Sequence, residues 1–329
     1  MKRILSSVVA FALLVSILAV GSSVPASASS APLGSADNPY PIRSQSDLSQ
    51  MVNGSSSAYY RLEQNITVTS VLAQAANNRV RGTLDGNHYT ITLQISSSGN
   101  PVGLFGRVDG VTVKNLKLAG SVSNSNNQQT GALIGSATSG SVTLDNIDSS
   151  VTVSGQNDTG GLIGQASISS VDIRNVTVRG NVKGTTQVGG IMGVGSGYFT
   201  RCSVTGDVTG TGTTTIGGLV GITSVSGRYS RFDECEMLGQ VKGNINTGGI
   251  VGHAANTDFY NCRSTGTITG SREVGGIVGL GASTVNVDRC YSSSTINGDG
   301  ARVGGLTGSN CHVYNSFGLN PSVKSLNTA

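Results

Sequence analysis

Residues 160–182 read GGLIGQASISSVDIRNVTVRGNV, and the order of apolar positions within them decides the fold. Two aliphatic residues, Leu162 and Ile163, sit between glycines. Val171 and Ile173 then alternate with polar residues, the parity shifts by one at Asn175, and Val176 and Val178 resume the alternation before Val182. Alternation is the mark of a strand with one buried face. A parity shift keeps the apolar side inward only if the chain bends there, and Asn tolerates the left-handed backbone that such a bend requires. The segment therefore reads as short strands joined by corners, all facing one interior.

The same pattern recurs along the chain. The string Gly-apolar-x-Gly closes on Gly106, Gly135, Gly164, Gly193, Gly221, Gly252, Gly279 and Gly308, with Ala132 replacing its first Gly once, at spacings of 29, 29, 29, 28, 31, 27 and 29. Val111-Thr-Val113-Lys-Asn115-Leu116-Lys-Leu118 and Phe259-Tyr-Asn261-Cys262-Arg-Ser264 align with 171–178. A third strand ends on Val122, Val153, Val182, Val208, Val241, Ile268 and Ile296. Short strands at a near-constant period predict an all-β, single-stranded right-handed parallel β-helix of about eight coils. No 3.6-residue apolar period supports a helical solenoid, and a propeller blade needs about 40 residues.

Work outward from that array and the remaining segments fall into place. Residues 1–28 read as a secretory signal peptide: Lys2 and Arg3, an apolar run from Val8 to Val20, and Ala26-Ser27-Ala28 as the cleavage pattern. Residues 29–100 read as an N-terminal capping segment with the first strands, including a short amphipathic helix over Ser46–Val52; residues 101–318 hold the repeats, and 319–329 form a weakly patterned tail. That tail caps the last coil poorly, so self-association through the C-terminal end is expected. Gly is 48 of 329 residues and charged residues are 12%. The formal charge of +4 falls to +2 without Lys2 and Arg3, and the basic residues are scattered, so no nucleic-acid footprint is present. No second long apolar run follows, and no membrane span is expected in the mature chain.

Few residue types here carry chemistry. Cys202, Cys235, Cys262 and Cys290 fall in the column that holds Leu116, Ile147 and Val176, and Cys311 falls in the column of Val111, Val142 and Val171. All five are expected as buried apolar thiols, because side chains stacked in parallel suit a disulfide torsion badly, although export would permit bridges. No C-x-x-C pair occurs, and His88, His253 and His312 lack partners at ligand spacing, so no metal or other cofactor is expected. The densest acidic patch is Asp233, Glu234, Glu236 and Asp258. It reads chiefly as solvated surface, with a glycoside-cleaving acid pair as the functional alternative. The Asn column (Asn115, Asn146, Asn175, Asn261, Asn315) reads as an amide ladder along the corner. In the repeat motif, neighbours on a regular strand would face opposite ways, which leaves Phe105, Ile134, Ile163, Met192, Val220, Val251 and Val278 as a candidate exposed binding stripe. The alternative is that the flanking glycines turn both columns inward at a corner.

On Gly103-Leu104-Phe105-Gly106, Gly161-Leu162-Ile163-Gly164, Gly218-Leu219-Val220-Gly221, Gly305-Leu306-Thr307-Gly308 and the Asn261-Cys262 pair, the chain resembles the GLUG-motif repeat family. The likeness runs over about residues 38–318. It implies a secreted or cell-surface bacterial protein, adhesin-like, of a kind sometimes attached to immunoglobulin A metallopeptidases. It brings no catalytic residues, and the His-Glu-x-x-His zinc helix is absent. The expectation is an extracellular binding, adhesive or scaffolding module for a carbohydrate or surface-protein ligand. The alternatives are a secreted polysaccharide lyase or glycoside hydrolase, and a self-assembling structural or biofilm component.

Overall fold

A computed structural model describes residues 31–126, 128–212, 215–223 and 227–325; the expected signal peptide lies outside them. The chain winds as a right-handed parallel β-solenoid of about nine turns. Each coil contributes strands to three faces and a very short strand to a fourth side. Pairing between coils is parallel and, apart from local bulges near Arg81, Asp109 and Asn256, in register, so equivalent residues stack vertically. On face 1 the inward column runs Leu84, Val113, Leu144, Ile173, Phe199, Phe232, Phe259 and Val287. On face 3 it runs Ile95, Val122, Val153, Val182, Val208, Val241, Ile268 and Ile296, the column expected from the repeat. Face 2 lies between them, with Ile91, Leu118, Ser149, Val178, Val204 and Met237 in line.

The interior has its own layering. Phe199, Phe232 and Phe259 stack as three near-parallel rings, with centroids 4.5 and 5.0 Å apart and interplanar angles of 3° and 12°. Parallel in-register strands place identical side chains one rung apart, about 4.8 Å, which is the spacing at which aromatic rings stack.

The bend between faces 1 and 2 is made by one backbone device. Asn115, Asn146, Asn175, Arg201, Glu234, Asn261, Arg289 and Asn315 all have φ between 45° and 56°. Each is therefore in the left-handed region, where a single residue reverses the side on which the next strand's side chains point. That is the parity shift seen in the sequence.

A second corner explains the glycine motif. The fourth side is a sheet of two- to four-residue strands, among them Thr130–Gly131, Thr159–Gly160, Val188–Gly189, Ile216–Gly217 and Ile245–Gly248. After each, the chain turns and enters face 1. A Cβ on Gly160 would lie 1.9 Å from the Ile163 carbonyl oxygen, and one on Gly161 would lie 2.0 Å from the Gly190 carbonyl oxygen in the next coil. Only glycine fits both the tight turn and the coil-to-coil approach.

The N-terminal segment is built from the same stock. Tyr40–Ile42, Tyr59–Leu62 and Val80–Asp85 stack in register beneath the repeats, so they extend face 1 rather than merely covering it. The closing element is a short helix, Gln45–Leu48, followed by a 3₁₀ turn, Ser49–Met51. The Ser44 side chain accepts a hydrogen bond from the Asp47 N–H, and Leu48 and Met51 are fully buried. A helix laid over the first coil shields strand edges that would otherwise template pairing. At the other end, Phe317, Leu319 and Val323 are exposed, and no helix covers the last coil among the described residues.

Candidate functional site

The candidate stripe does not exist as a surface. Phe105, Ile134, Ile163, Met192, Val220, Val251 and Val278 are in register and each is 0% exposed, as are Leu104, Leu133, Leu162, Leu219 and Ile250 beside them. The chain turns at the glycine pair and the first apolar residue, and the next strand starts at the second, as at Gly161-Leu162 and Ile163, so both point into the core. The strand rule that neighbours face opposite ways fails where the chain turns.

The acidic patch is divided by the Asn-type corner. Asp233 and Asp258 project from the outer surface of face 1, Glu234 occupies the corner at φ 53°, and Glu236 lies on face 2. Asp233 pairs with Arg231 at 3.1 Å and accepts from Asn261 at 3.3 Å; Glu236 pairs with Arg263 at 2.5 Å. Among the described residues no group of three or more His, Cys, Asp and Glu is placed to hold a metal ion.

The Asn column serves a different partner from the one expected. Only Asn146 donates to another column amide, that of Asn115, at 2.9 Å. Asn115, Asn175, Asn261 and Asn315 instead donate to Asp85, Asp145, Asp233 and Asp288 of the preceding coil, at 2.8–3.3 Å. The carboxylates near the corner are therefore acceptors that hold the bend from one coil to the next. Asp85 and Asp145 also meet Lys114 and Arg174 across rungs at 3.5 and 3.6 Å.

The cysteine column is internal and unbridged. Cys202, Cys235, Cys262 and Cys290 are free and buried, each donating its thiol to a carbonyl at 3.3–3.5 Å two residues back. Burial pushes the Cys202 and Cys262 thiols up, and Cys311, only partly buried, is pushed up to about 12. Such thiols are poor nucleophiles.

What sequence reading missed stands on the outer surface of face 1 toward the C-terminal end. Tyr198 and Tyr229 are 51% and 43% exposed and meet edge to face, with centroids 6.2 Å apart. The Tyr229 hydroxyl donates to Asp258 Oδ2 at 2.7 Å, and Asn286 Nδ2 donates to Asp258 Oδ1 at 2.8 Å. Arg231 lies over the Tyr260 ring, 4.3 Å from its centroid. Burial and then the Asp258 carboxylate push the Tyr229 phenol up, which keeps it a donor. Two shallow depressions adjoin here and share Asn286: one is lined by Tyr229, Asn256 and Asp258, the other by Tyr260, Asp288 and Tyr314. Together they form a trough that runs obliquely to the rod axis, crossing rungs as it shifts along the strands. The tyrosines come from different coils, and only Tyr260 and Tyr314 share a column, the outward position before the corner residue that holds Thr200, Asp233 and Asp288 in other coils, so no single repeat position signals them all.

An in-register parallel solenoid whose coils are marked by paired glycine corners and left-handed Asn-type corners defines a β-helix repeat protein. Within that class the chain carries the GLUG motif: the family model for it matches residues 243–269, and the family is a β-helix repeat family of bacterial proteins. The matched segment holds Gly248-Gly249-Ile250-Val251-Gly252, Asn261-Cys262 and Ile268, which is one coil from the glycine corner to face 3. A solved chain from Bacteroides ovatus, described as a "putative immunoglobulin A1 protease", is similar at 18% identity over 90% of this chain and 83% of that one, with a TM-score of 0.41. No curated protein matches.

Proposed function

We propose that this protein is an extracellular binding module that presents a rigid outer surface to a ligand and performs no covalent chemistry on it. The observation that carries the reading is the trough on face 1, where exposed tyrosines surround carboxylates already held by donors. A glycoside hydrolase needs one carboxyl kept protonated and another ionised. Asp233 and Asp258 are outward acids on adjacent rungs of this face. Asp233 is held by Arg231 and Asn261, and Asp258 by Tyr229 and Asn286. Each is already held by two fixed neighbours, an arrangement that sets acceptors in place for ligand hydroxyls. Export, read from the N-terminal sequence, supplies the setting.

The test joins binding to turnover. The purified mature chain is applied to immobilised glycans and bacterial or host surface proteins, and the same preparation is assayed for release of reducing or unsaturated sugar. Saturable binding without release is expected; release that survives repurification would overturn the reading. A second reading, assembly through the C-terminal end, is favoured by the exposed Phe317, Leu319 and Val323 beside unpaired strand edges. Mass that rises with concentration in light scattering, and falls on Leu319→Lys, would support it; a monomer at all concentrations would remove it.

A further inference from the structure

Resting on that binding reading, we infer that the trough on face 1 takes a neutral linear oligosaccharide, laid obliquely across the coils that carry Tyr229, Asp258, Asn286 and Tyr314. Three features point to sugar. The large exposed apolar groups that line it, Tyr229 and Tyr314 (43% and 52% exposed), are both tyrosines, whose rings offer a flat face to pyranose C–H groups and whose hydroxyls remain polar. The aliphatic groups expected of a protein-docking surface are absent from the linings of both depressions. Between the rings stand an ordered carboxylate and amide, Asp258 and Asn286, joined at 2.8 Å. A carboxylate and an amide fixed side by side match the acceptor and donor pattern of neighbouring sugar hydroxyls.

Charge and length narrow the class further. Asp258 and Asp288 line the two depressions and no basic side chain does; of the bases nearby, Arg231 is engaged with Asp233 and the Tyr260 ring and Arg289 with Asp288. An anionic glycan would meet net repulsion, so the ligand is uncharged. From Tyr229 to Tyr314 the trough crosses three rungs and shifts by four residues along the strands, about 14 Å along the axis and about 13 Å across it, or about 20 Å in all. A diagonal of that length holds about four pyranose units.

The experiment is calorimetric titration of the mature chain with neutral tri- to hexasaccharides (β-glucan, mannan, galactan and N-acetylglucosamine series) and with uronate oligomers of equal length. Neutral oligomers are expected to bind, with affinity rising up to the tetramer. Tyr229→Ala and Tyr314→Ala are each expected to weaken binding by about tenfold. Asp258→Asn is expected to weaken it similarly, and Lys183→Ala on face 3 to leave it unchanged. Circular dichroism on each variant confirms the fold. Uronates binding as well as neutral chains, or neutral binding that survives both tyrosine substitutions, overturns the inference. If a protein or basic peptide binds instead and Tyr229→Ala abolishes that, the sugar assignment fails while the binding reading stands. Sugar release by the wild type sinks the binding reading and leaves the site assignment intact.

Discussion

Replacing Phe232 by Ala removes the middle ring of the Phe199–Phe232–Phe259 stack, and the consequence is calculable. Phe232 is fully buried, with partners 4.5 and 5.0 Å away on the coils before and after. A buried Phe→Ala change costs about 3–5 kcal/mol from lost transfer energy and the cavity left behind. Rungs fixed by in-register hydrogen bonds have little freedom to collapse into that cavity, so the upper half of the range applies, about 4 kcal/mol. Unfolding entropy of about 2.1 cal/mol/K per residue over roughly 290 residues converts this to a fall of about 7 °C in Tm. Phe232→Leu, which keeps most of the volume, is expected to cost about 1–2 kcal/mol. Ser154→Ala, outward on face 3, should stay within about 0.5 kcal/mol. Chemical denaturation followed by circular dichroism reads all three. A cost below about 1 kcal/mol for Phe232→Ala would mean the rings do not share one interior.

Three further outcomes follow from the corners, the buried imidazole and the thiols. Asn175, at φ 54°, donates to Asp145 and accepts from Arg201. Asn175→Gly should cost about 1 kcal/mol, and Asn175→Val about 2–3 kcal/mol, because Val adds a left-handed backbone penalty; equal costs in denaturant titration would contradict the corner assignment. Burial holds the His253 pKa below its usual value, and its Nε2 has no hydrogen-bond partner. The unfolded chain then binds this proton more readily than the folded one, so its contribution is intact above about pH 6.5 and is lost as pH falls toward the folded pKa. His253→Leu, which copies Leu280 one coil on, should flatten the stability profile between pH 7 and 5; an unchanged slope would remove His253 as its source. The four column thiols should resist iodoacetamide until the chain is denatured, and Cys311, partly buried with its pKa pushed up to about 12, should react slowly in the native state and faster as pH is raised; a native, non-reduced mass lower by the hydrogens of a disulfide would show that the column is bridged.

Most of the architecture was written in the repeat. The aliphatic residues expected to end each third strand are one register column, because a parallel solenoid forces equivalent positions into vertical contact. Asn175 and its counterparts marked the corner because a parity shift has only one backbone solution without an insertion. The motif pair Leu162-Ile163 was ambiguous for a physical reason: on a straight strand one of the two must face water, and only the turn at Gly160-Gly161 puts both inside. Asp145 and Asp233 looked like surface charge in sequence, since their Asn partners lie a full coil away. The tyrosine trough was invisible for a related reason. Outward positions are free of packing constraints, so Tyr260 and Tyr314 recur at one repeat position that other coils fill with Thr200, Asp233 and Asp288, Tyr229 sits at another, and only the stacked coils bring the three together.

The most direct test of vertical stacking measures rung spacing in solution. Ser123, Thr209, Lys242, Thr269 and Asn297 share one outward column of face 3. In a Cys311→Val background, nitroxide pairs from Ser123 to each of the other four, read by pulsed dipolar spectroscopy, should give separations near 14, 19, 24 and 29 Å, about 4.8 Å per rung. Separations that fail to increase in equal steps, or a Ser123–Asn297 distance shorter than the Ser123–Thr209 distance, would show that the coils do not pile in register.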